Sequence, residues 1–151
     1  MQKRLVRKHC LEEAIAEVVP HPNPKAYLEQ YTIPSEVAAE ILHLATYTYD
    51  DIFNKTVVDL GCGTGRLAIG AVLLGAKEAF GIDIDPLAIN VAKSNAKKLE
   101  VEKKTNWITA DIHILHGHFR TVLQNPPFGV QKRGADRDFL KKSLELGQRI
   151  Y

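Results

Sequence analysis

Cysteine is scarce in this chain. Its 151 residues include only Cys10 and Cys62. The two are far apart and in no CxxC, which excludes a disulfide framework and a zinc ribbon and leaves nothing that requires an oxidising compartment. Long apolar runs are also missing: no window approaches the roughly 18 uncharged residues that a membrane span needs. The start, Met-Gln-Lys-Arg-Leu-Val-Arg-Lys, has no apolar core and no small-residue cleavage site, so it is not read as a secretory signal. An intracellular, cytoplasmic protein with no membrane partner is therefore expected. There is no internal repeat and no low-complexity tract. A strong charge imbalance is absent too. Twenty Lys and Arg face 18 Asp and Glu, a net +2, too mild to announce a nucleic-acid binder by itself. What is present, 45% hydrophobic and 25% charged residues, is the composition of an ordinary globular domain.

The cations are unevenly placed. Lys3, Arg4, Arg7, Lys8 and His9 form a basic amino-terminal arm, and Lys132, Arg133 and Arg137 form a second cluster. Such clusters are either solvated surface charge or attractors for a phosphate backbone. His113, His116 and His118 fit no standard zinc spacing and have no cysteine near them, so no metal site is expected.

Apolar spacing from Leu5 to Val19 predicts an amphipathic helix. Pro20, Pro22 and Pro24 then give an extended linker. A second helix opens at Pro34-Ser35-Glu36, with Val37, Ala38, Ile41, Leu42 and Ala45 on its buried face and Thr32 and Ser35 as candidate caps. Tyr47 to Asn54 is a connection. From there strands and helices alternate. Thr56–Leu60 reads as a buried strand and Arg66–Leu74 as a helix ended by Gly75. Ala79–Ile84 is a second strand, and Asp85-Pro86 starts a helix that runs through Leu87, Ile89, Val91 and Ala92. Trp107–Ala110 and Phe119–Gln124 are further strands, and Asp138–Tyr151 is a last helix. Such alternation predicts an α/β fold with a parallel sheet. Residues 1–50 are expected to be a helical lead-in packed on a core spanning residues 51–151. With four strands before a final helix, the fourth strand would lie at an open edge, and the core is expected to be incomplete at its carboxyl end.

Two loops carry chemistry. Asp59-Leu60-Gly61-Cys62-Gly63-Thr64-Gly65 sits between a strand and a helix. Its glycines let the backbone turn sharply and approach a ligand, and the helix behind offers free N–H groups. Either a phosphate or an amino-acid carboxylate would fit. The glycine spacing is not GxGxxG, and no GK[ST] follows. Cys62 among these glycines reads as packing rather than as a nucleophile. Asp83 ends the second strand about 20 residues beyond the loop. Asp85 reads as a helix cap.

The second loop is Asn125-Pro126-Pro127-Phe128, after the fourth strand. It resembles the NPP[YF] motif of methyltransferases acting on planar amide or amine nitrogens, and that resemblance implies an acceptor such as an exocyclic adenine amine, a poor nucleophile because its lone pair is conjugated with the ring. The Asn125 side-chain oxygen and the Pro126 carbonyl can both accept from that amine and orient it. The prolines stiffen the loop, and Phe128 can stack on a base taken out of its helix.

The glycine loop resembles the first motif of the seven-strand, Rossmann-like S-adenosylmethionine-dependent methyltransferases. That resemblance implies that Asp59, Gly61, Gly63, Thr64 and Gly65 run under the methionine end of the cofactor, that Asp83 binds its ribose, and that Asp111 and Ile112 contact its adenine. The Asn125–Phe128 loop is similar to the NPP[YF] motif of enzymes that methylate planar nitrogens. Glu29-Gln30-Tyr31-Thr32-Ile33-Pro34 resembles the element that closes over the cofactor in N6-adenine methyltransferases, with Gln30 and Thr32 as its polar contacts.

Together with Tyr49-Asp50-Asp51-Ile52, these segments resemble the methyltransferase-like family whose eukaryotic members N6-methylate one adenosine of small-subunit ribosomal RNA. The resemblance implies an RNA substrate, S-adenosylmethionine as methyl donor with S-adenosylhomocysteine as product, and a small zinc-binding activator subunit as a candidate partner. Protein glutamine, DNA adenine and a non-catalytic RNA-binding role remain alternatives. The sequence departs from the family pattern in two places. The Gln-Tyr to Thr-x-Pro spacing is one residue shorter than in the eukaryotic members, and Arg66 stands beside the cofactor loop.

Overall fold

The computed structural model describes residues 5–151, so Lys3 and Arg4 of the basic arm lie outside the described residues. Two helices lead in: α1 (Lys8–Ala16) and α2 (Ser35–Tyr47). Then come β1 (Thr56–Leu60), α3 (Arg66–Leu73), β2 (Glu78–Asp83), α4 (Pro86–Lys98), β3 (Thr105–Thr109), β4 (Phe119–Gln124), α5 (Ala135–Leu146) and β5 (Gly147–Ile150). The five strands form one sheet in the order β3-β2-β1-β4-β5, with every pairing parallel. The α/β class and the parallel sheet expected from the sequence are both present.

Strand periodicity divides the core. Val57 of β1 faces α1, α2 and α3, in a cluster with Leu11, Ile15, Leu42 and Ile69. Its neighbours Val58 and Leu60 face the opposite side, with Ile82, Val122 and Leu146. Both faces of the sheet are therefore covered, as a parallel sheet requires. Asp59 shares the face of Val57, which turns its carboxylate toward α3.

The second helical element of the core begins as its sequence requires. Asp85 Oδ1 accepts from the Leu87 N–H at 3.0 Å, Pro86 occupies the first helical position, and Lys97 and Lys98 lie in the last turn. These features satisfy an orphan N–H and complement the helix dipole.

Several expectations are corrected. The chain does not end in one helix over Asp138–Tyr151. α5 stops at Leu146, and Gly147–Ile150 is a fifth strand. It pairs with β4 as Phe119 to Gly147, Thr121 to Arg149 and Val122 to Ile150, so β4 is an interior strand rather than an open edge. A Cβ at Gly147 would stand 2.5 Å from Val122 Cγ2. The close approach of the two strands therefore needs glycine at that point. α1 is shorter than Leu5–Val19, and Leu5 and Val19 are exposed. Val37 and Leu87 are also exposed, whereas Ala39 is buried. Neither Thr32 nor Ser35 caps α2, whose boundary residue is Pro34, without a side-chain hydrogen bond. β2 and β3 each begin before their expected starts, at Glu78 and Thr105, and end one residue earlier, at Asp83 and Thr109.

The Tyr49–Ile52 segment anchors the sheet's far strand. Asp51 is buried and accepts from Arg120 Nη2 at 2.8 Å and from the Tyr151 hydroxyl at 2.7 Å. The Arg149 guanidinium lies 3.7 Å away. A desolvated carboxylate between two guanidiniums ties the lead-in to β4 and β5.

Candidate active site

At the carboxyl ends of β1, β2 and β4 the strand order reverses, and crevices at such points are where open α/β sheets bind ligands. A cavity of about 200 Å³ opens there. Most of the residues singled out from the sequence line it: Gln30, Thr32, Asp59, Gly61, Gly63 and Thr64 from the strap and glycine loop, and Asp83, Asp111, Ile112, Asn125 and Pro127 from the strand ends. Gly65, Pro126 and Phe128 do not. Gly65 has φ +95° and lies under Trp107, whose Cη2 would stand 2.5 Å from an added Cβ. Phe128 is 71% exposed at the outer lip.

The glycine loop is fastened to β2. Asp83 Oδ2 accepts from the Gly63 N–H at 2.8 Å, and its Oδ1 accepts from the Asp85 N–H at 2.9 Å. Burial pushes the Asp83 carboxyl above its ordinary value, and these hydrogen bonds oppose the rise. Asp59 is more extreme. It is 1% exposed; Oδ2 accepts from the Ala68 N–H at 3.1 Å, while Oδ1 has no partner among the described residues. Burial pushes its pKa up to about 8, with the Asp83 charge adding to the rise. A buried acceptor left unpaired carries a desolvation cost and marks a place for a cationic or donor group. Cys62 is buried, and burial with the two neighbouring aspartates drives its thiol well above the ordinary range. It has no thiolate character, in keeping with a packing role.

The strap formed by residues 29–33 is bolted to the core. Gln30 Nε2 donates to Asp85 Oδ2 at 2.8 Å, and its Oε1 accepts from the Lys25 N–H at 2.7 Å. His21 Nε2 meets the same Asp85 oxygen at 2.9 Å, and its Nδ1 accepts from the Asn23 N–H. Nε2 therefore carries the proton. Burial raises the Asp85 carboxyl, but the bonds from Gln30, the Leu87 N–H and His21, with the nearby Lys25 charge, outweigh it and hold the group at about 2. Arg66 lines the cavity, but its guanidinium is spent on the lead-in. It donates to the carbonyls of Ile33 at 2.6 Å, Ile15 at 3.1 Å and Val18 at 3.2 Å.

Asn125 stands at the end of β4. Its Nδ2 donates to the Tyr31 carbonyl at 3.1 Å, which leaves Oδ1 as its acceptor. Asp111 lies at the cavity's opposite end and accepts from the His113 N–H at 2.9 Å. That bond and the His113 ring hold its carboxyl below the ordinary range.

Sequence reasoning missed several contributors. Glu29 accepts three backbone N–H groups from residues 129–131. Phe139 of α5 packs on Gly61, where an added Cβ would lie 2.8 Å from its Cε1. Lys142 is buried and donates to the Leu115 carbonyl at 3.1 Å, holding the loop that carries Asp111 and Ile112. Only the glycine at position 61 hinted at any of these, by asking for a close neighbour.

A parallel sheet with this loop, this strand-end acidic pair and an Asn-Pro-Pro-Phe turn at the switch point defines an S-adenosylmethionine-dependent methyltransferase. The sequence profile of the ribosomal protein L11 methyltransferase (PrmA) family matches residues 42–125, from within α2 to the end of β4. An uncharacterized protein of Methanocaldococcus jannaschii is 49% identical over 97% of this chain and 70% of its own length. The rRNA N6-adenosine-methyltransferase Mettl5 of Drosophila melanogaster is 38% identical over 92% of this chain and 68% of its own length. A solved structure of a candidate RNA methyltransferase from Pyrococcus horikoshii superposes with a TM-score of 0.90 at 40% identity, covering 95% of this chain and 71% of that one. The L11 profile ends where the Asn125 loop begins, whereas the rRNA enzyme matches across it. The chain belongs to the rRNA N6-adenosine-methyltransferase family.

Proposed function

We propose that this chain transfers a methyl group from S-adenosylmethionine to the exocyclic nitrogen of an adenosine in RNA, with ribosomal RNA as the substrate. The observation that carries the reading is Asn125 at the switch point, its Nδ2 held by the Tyr31 carbonyl and its Oδ1 left to accept.

The residues present fit the cofactor. Asp59 Oδ1, buried and unpartnered beside the glycine loop, suits an ammonium group. Gly61 and Gly63, both at positive φ, bring backbone close to the methionine end. Asp83 suits the ribose hydroxyls, Asp111 and Ile112 the adenine, and Gln30 and Thr32 cover the crevice from the strap. When bound, the cofactor supplies a sulfonium methyl, an electrophile that needs no metal.

Asn125 Oδ1 and the Pro126 carbonyl accept the two N–H bonds of the amine. This turns the nitrogen lone pair out of conjugation and stabilises the positive charge that develops as the new C–N bond forms. One proton then leaves that nitrogen for solvent. Pro126 and Pro127 limit the loop's freedom. Phe128, exposed at the lip, offers a face on which an unstacked base can rest. Lys132, which lines the cavity, and the exposed Arg133 and Arg137 that follow it in sequence suit the flanking phosphates. Among the described residues no helix is long and apolar enough to cross a membrane, and we place the activity inside the cell.

The L11 match favours one second reading, a ribosomal protein as acceptor. Labelled S-adenosylmethionine, unmodified small-subunit ribosomal RNA and, in parallel, ribosomal protein separate the two. N6-methyladenosine in the RNA digest supports the proposal. Label in protein alone overturns it. Binding of cofactor with label in neither directs attention to an activator subunit.

A further inference from the structure

The reading above assigns no task to Glu29. It is buried, has φ +50°, and lines the cavity wall. Its Oε2 accepts from the Gly129 N–H at 3.0 Å, and its Oε1 from those of Val130 at 3.0 Å and Gln131 at 3.3 Å. Three successive amides around one carboxylate form an anion-binding nest. Among the described residues no cation pairs with it. The carboxylate is therefore satisfied by the loop alone, and the loop by the carboxylate.

The position of this nest gives it a consequence. Residues 29, 30 and 31 reach three parts of the site. Glu29 holds residues 129–131, Gln30 holds the cap of α4, and the Tyr31 carbonyl holds Asn125. Pro126, Pro127 and Phe128 thus lie between two pins, and both pins belong to one stretch of backbone. We infer that Glu29 is a positioning residue for methyl transfer, whose carboxylate fixes the downstream end of the Asn125–Phe128 loop so that the acceptor groups and the base platform keep their register. The inference rests on the acceptor reading proposed above. Near-attack geometry is sensitive to displacement of about 1 Å, which can cost on the order of 100-fold in rate.

The test uses Glu29→Gln and Glu29→Ala in the 151-residue chain. A glutamine keeps one acceptor oxygen and turns an N–H₂ toward the nest, so its effect lies between wild type and alanine. Hydrogen exchange at the amides of residues 129–131 is expected to quicken at least about tenfold in Glu29→Gln and further in Glu29→Ala, with the β4 amides unchanged. Turnover on ribosomal RNA falls about 10- to 100-fold, while cofactor affinity stays within about threefold.

Unchanged exchange at residues 129–131 overturns the inference. So does unchanged turnover in an active background. Parallel loss of turnover, cofactor affinity and β4 protection also overturns it, since that describes general destabilisation. A wild-type chain that labels ribosomal protein and no adenosine overturns the acceptor reading itself and the inference with it.

Discussion

The Asn125 side-chain amide donates to the Tyr31 carbonyl oxygen at 3.1 Å across 94 residues of sequence. The bond engages Nδ2 and leaves Oδ1 as the end of the amide that can accept. Asn125→Ala removes both the Oδ1 acceptor and the tie to the strap, but leaves the glycine loop, Asp59 and Asp83 as they are. Turnover should fall at least about 100- to 1,000-fold, the scale of losing a preorganised acceptor. Cofactor affinity measured by calorimetry should stay near wild type. Asn125→Asp supplies oxygen without the donor and sets a carboxylate against the Tyr31 carbonyl, so it should be as inactive as alanine. Concurrent loss of cofactor binding in both variants would show that Asn125 holds the cofactor instead.

Asp59 gives the site a pH signature. An unfolded aspartate titrates near about 3.9, and burial raises the folded group to about 8. Between those values the folded protein holds a proton that the unfolded chain has released. Stability from this group therefore declines as pH rises through the window, and Asp59→Asn should flatten that part of the profile. A cationic ligand at Oδ1 favours the charged carboxylate. Cofactor binding at pH 7 should thus expel about one proton, and affinity should rise with pH by up to about tenfold per unit until near 8. Calorimetry in two buffers of different ionisation enthalpy reads this directly. No proton release in wild type, or the same release in Asp59→Asn, removes Asp59 from the cofactor's partners.

Gly65 is required by both its backbone and its surroundings. At φ +95° an alanine is strained, and its Cβ would meet Trp107 Cη2 at 2.5 Å and Ala92 Cβ at 3.3 Å. Strain and overpacking together should cost about 2–4 kcal/mol. Thermal unfolding of Gly65→Ala should show the loss. Because the loop cannot yield without shifting Gly63 from Asp83, cofactor affinity should fall as well. Trp107 is the single tryptophan, so its emission reports whether the loop has moved. An alanine variant of wild-type stability would mean that Trp107 repacks freely.

The features legible in the sequence are those whose cause is local. β1 is a β-branched run, and α4 carries its Asp-Pro start and lysine end within one helix. The glycine loop and the Asn-Pro-Pro-Phe turn announce themselves by composition. The structure brings both to the same crevice because parallel strands share one carboxyl end. β5 was hidden because Gln148 and Arg149 are exposed, so no apolar alternation marks it; only pairing with β4 makes it a strand. Glu29 was hidden because its partners stand about 100 residues away and are backbone amides, which leave no trace in side-chain pattern. Arg66 looked like an intrusion of charge at the cofactor loop. Its burial depends on three carbonyls of the lead-in, which no spacing rule connects to it.

Those three carbonyls make Arg66 the clamp between lead-in and core. Its guanidinium binds Ile15 and Val18 at the end of α1 and Ile33 just before α2, and burial lowers its pKa. Hydrogen bonds from a charged donor contribute about 1.5–3 kcal/mol each and do not add fully. Arg66→Ala should therefore cost about 2–4 kcal/mol in denaturant unfolding. Arg66→Lys should recover little, because an ammonium cannot present donors in three fixed directions. The lead-in should loosen before the sheet does. Limited proteolysis is expected to cut Arg66→Ala first between residues 17 and 25 and to leave β1–β5 intact. Uniform digestion of both halves would instead mean that lead-in and sheet unfold as one unit, held together by the apolar cluster that α1, α2 and α3 share.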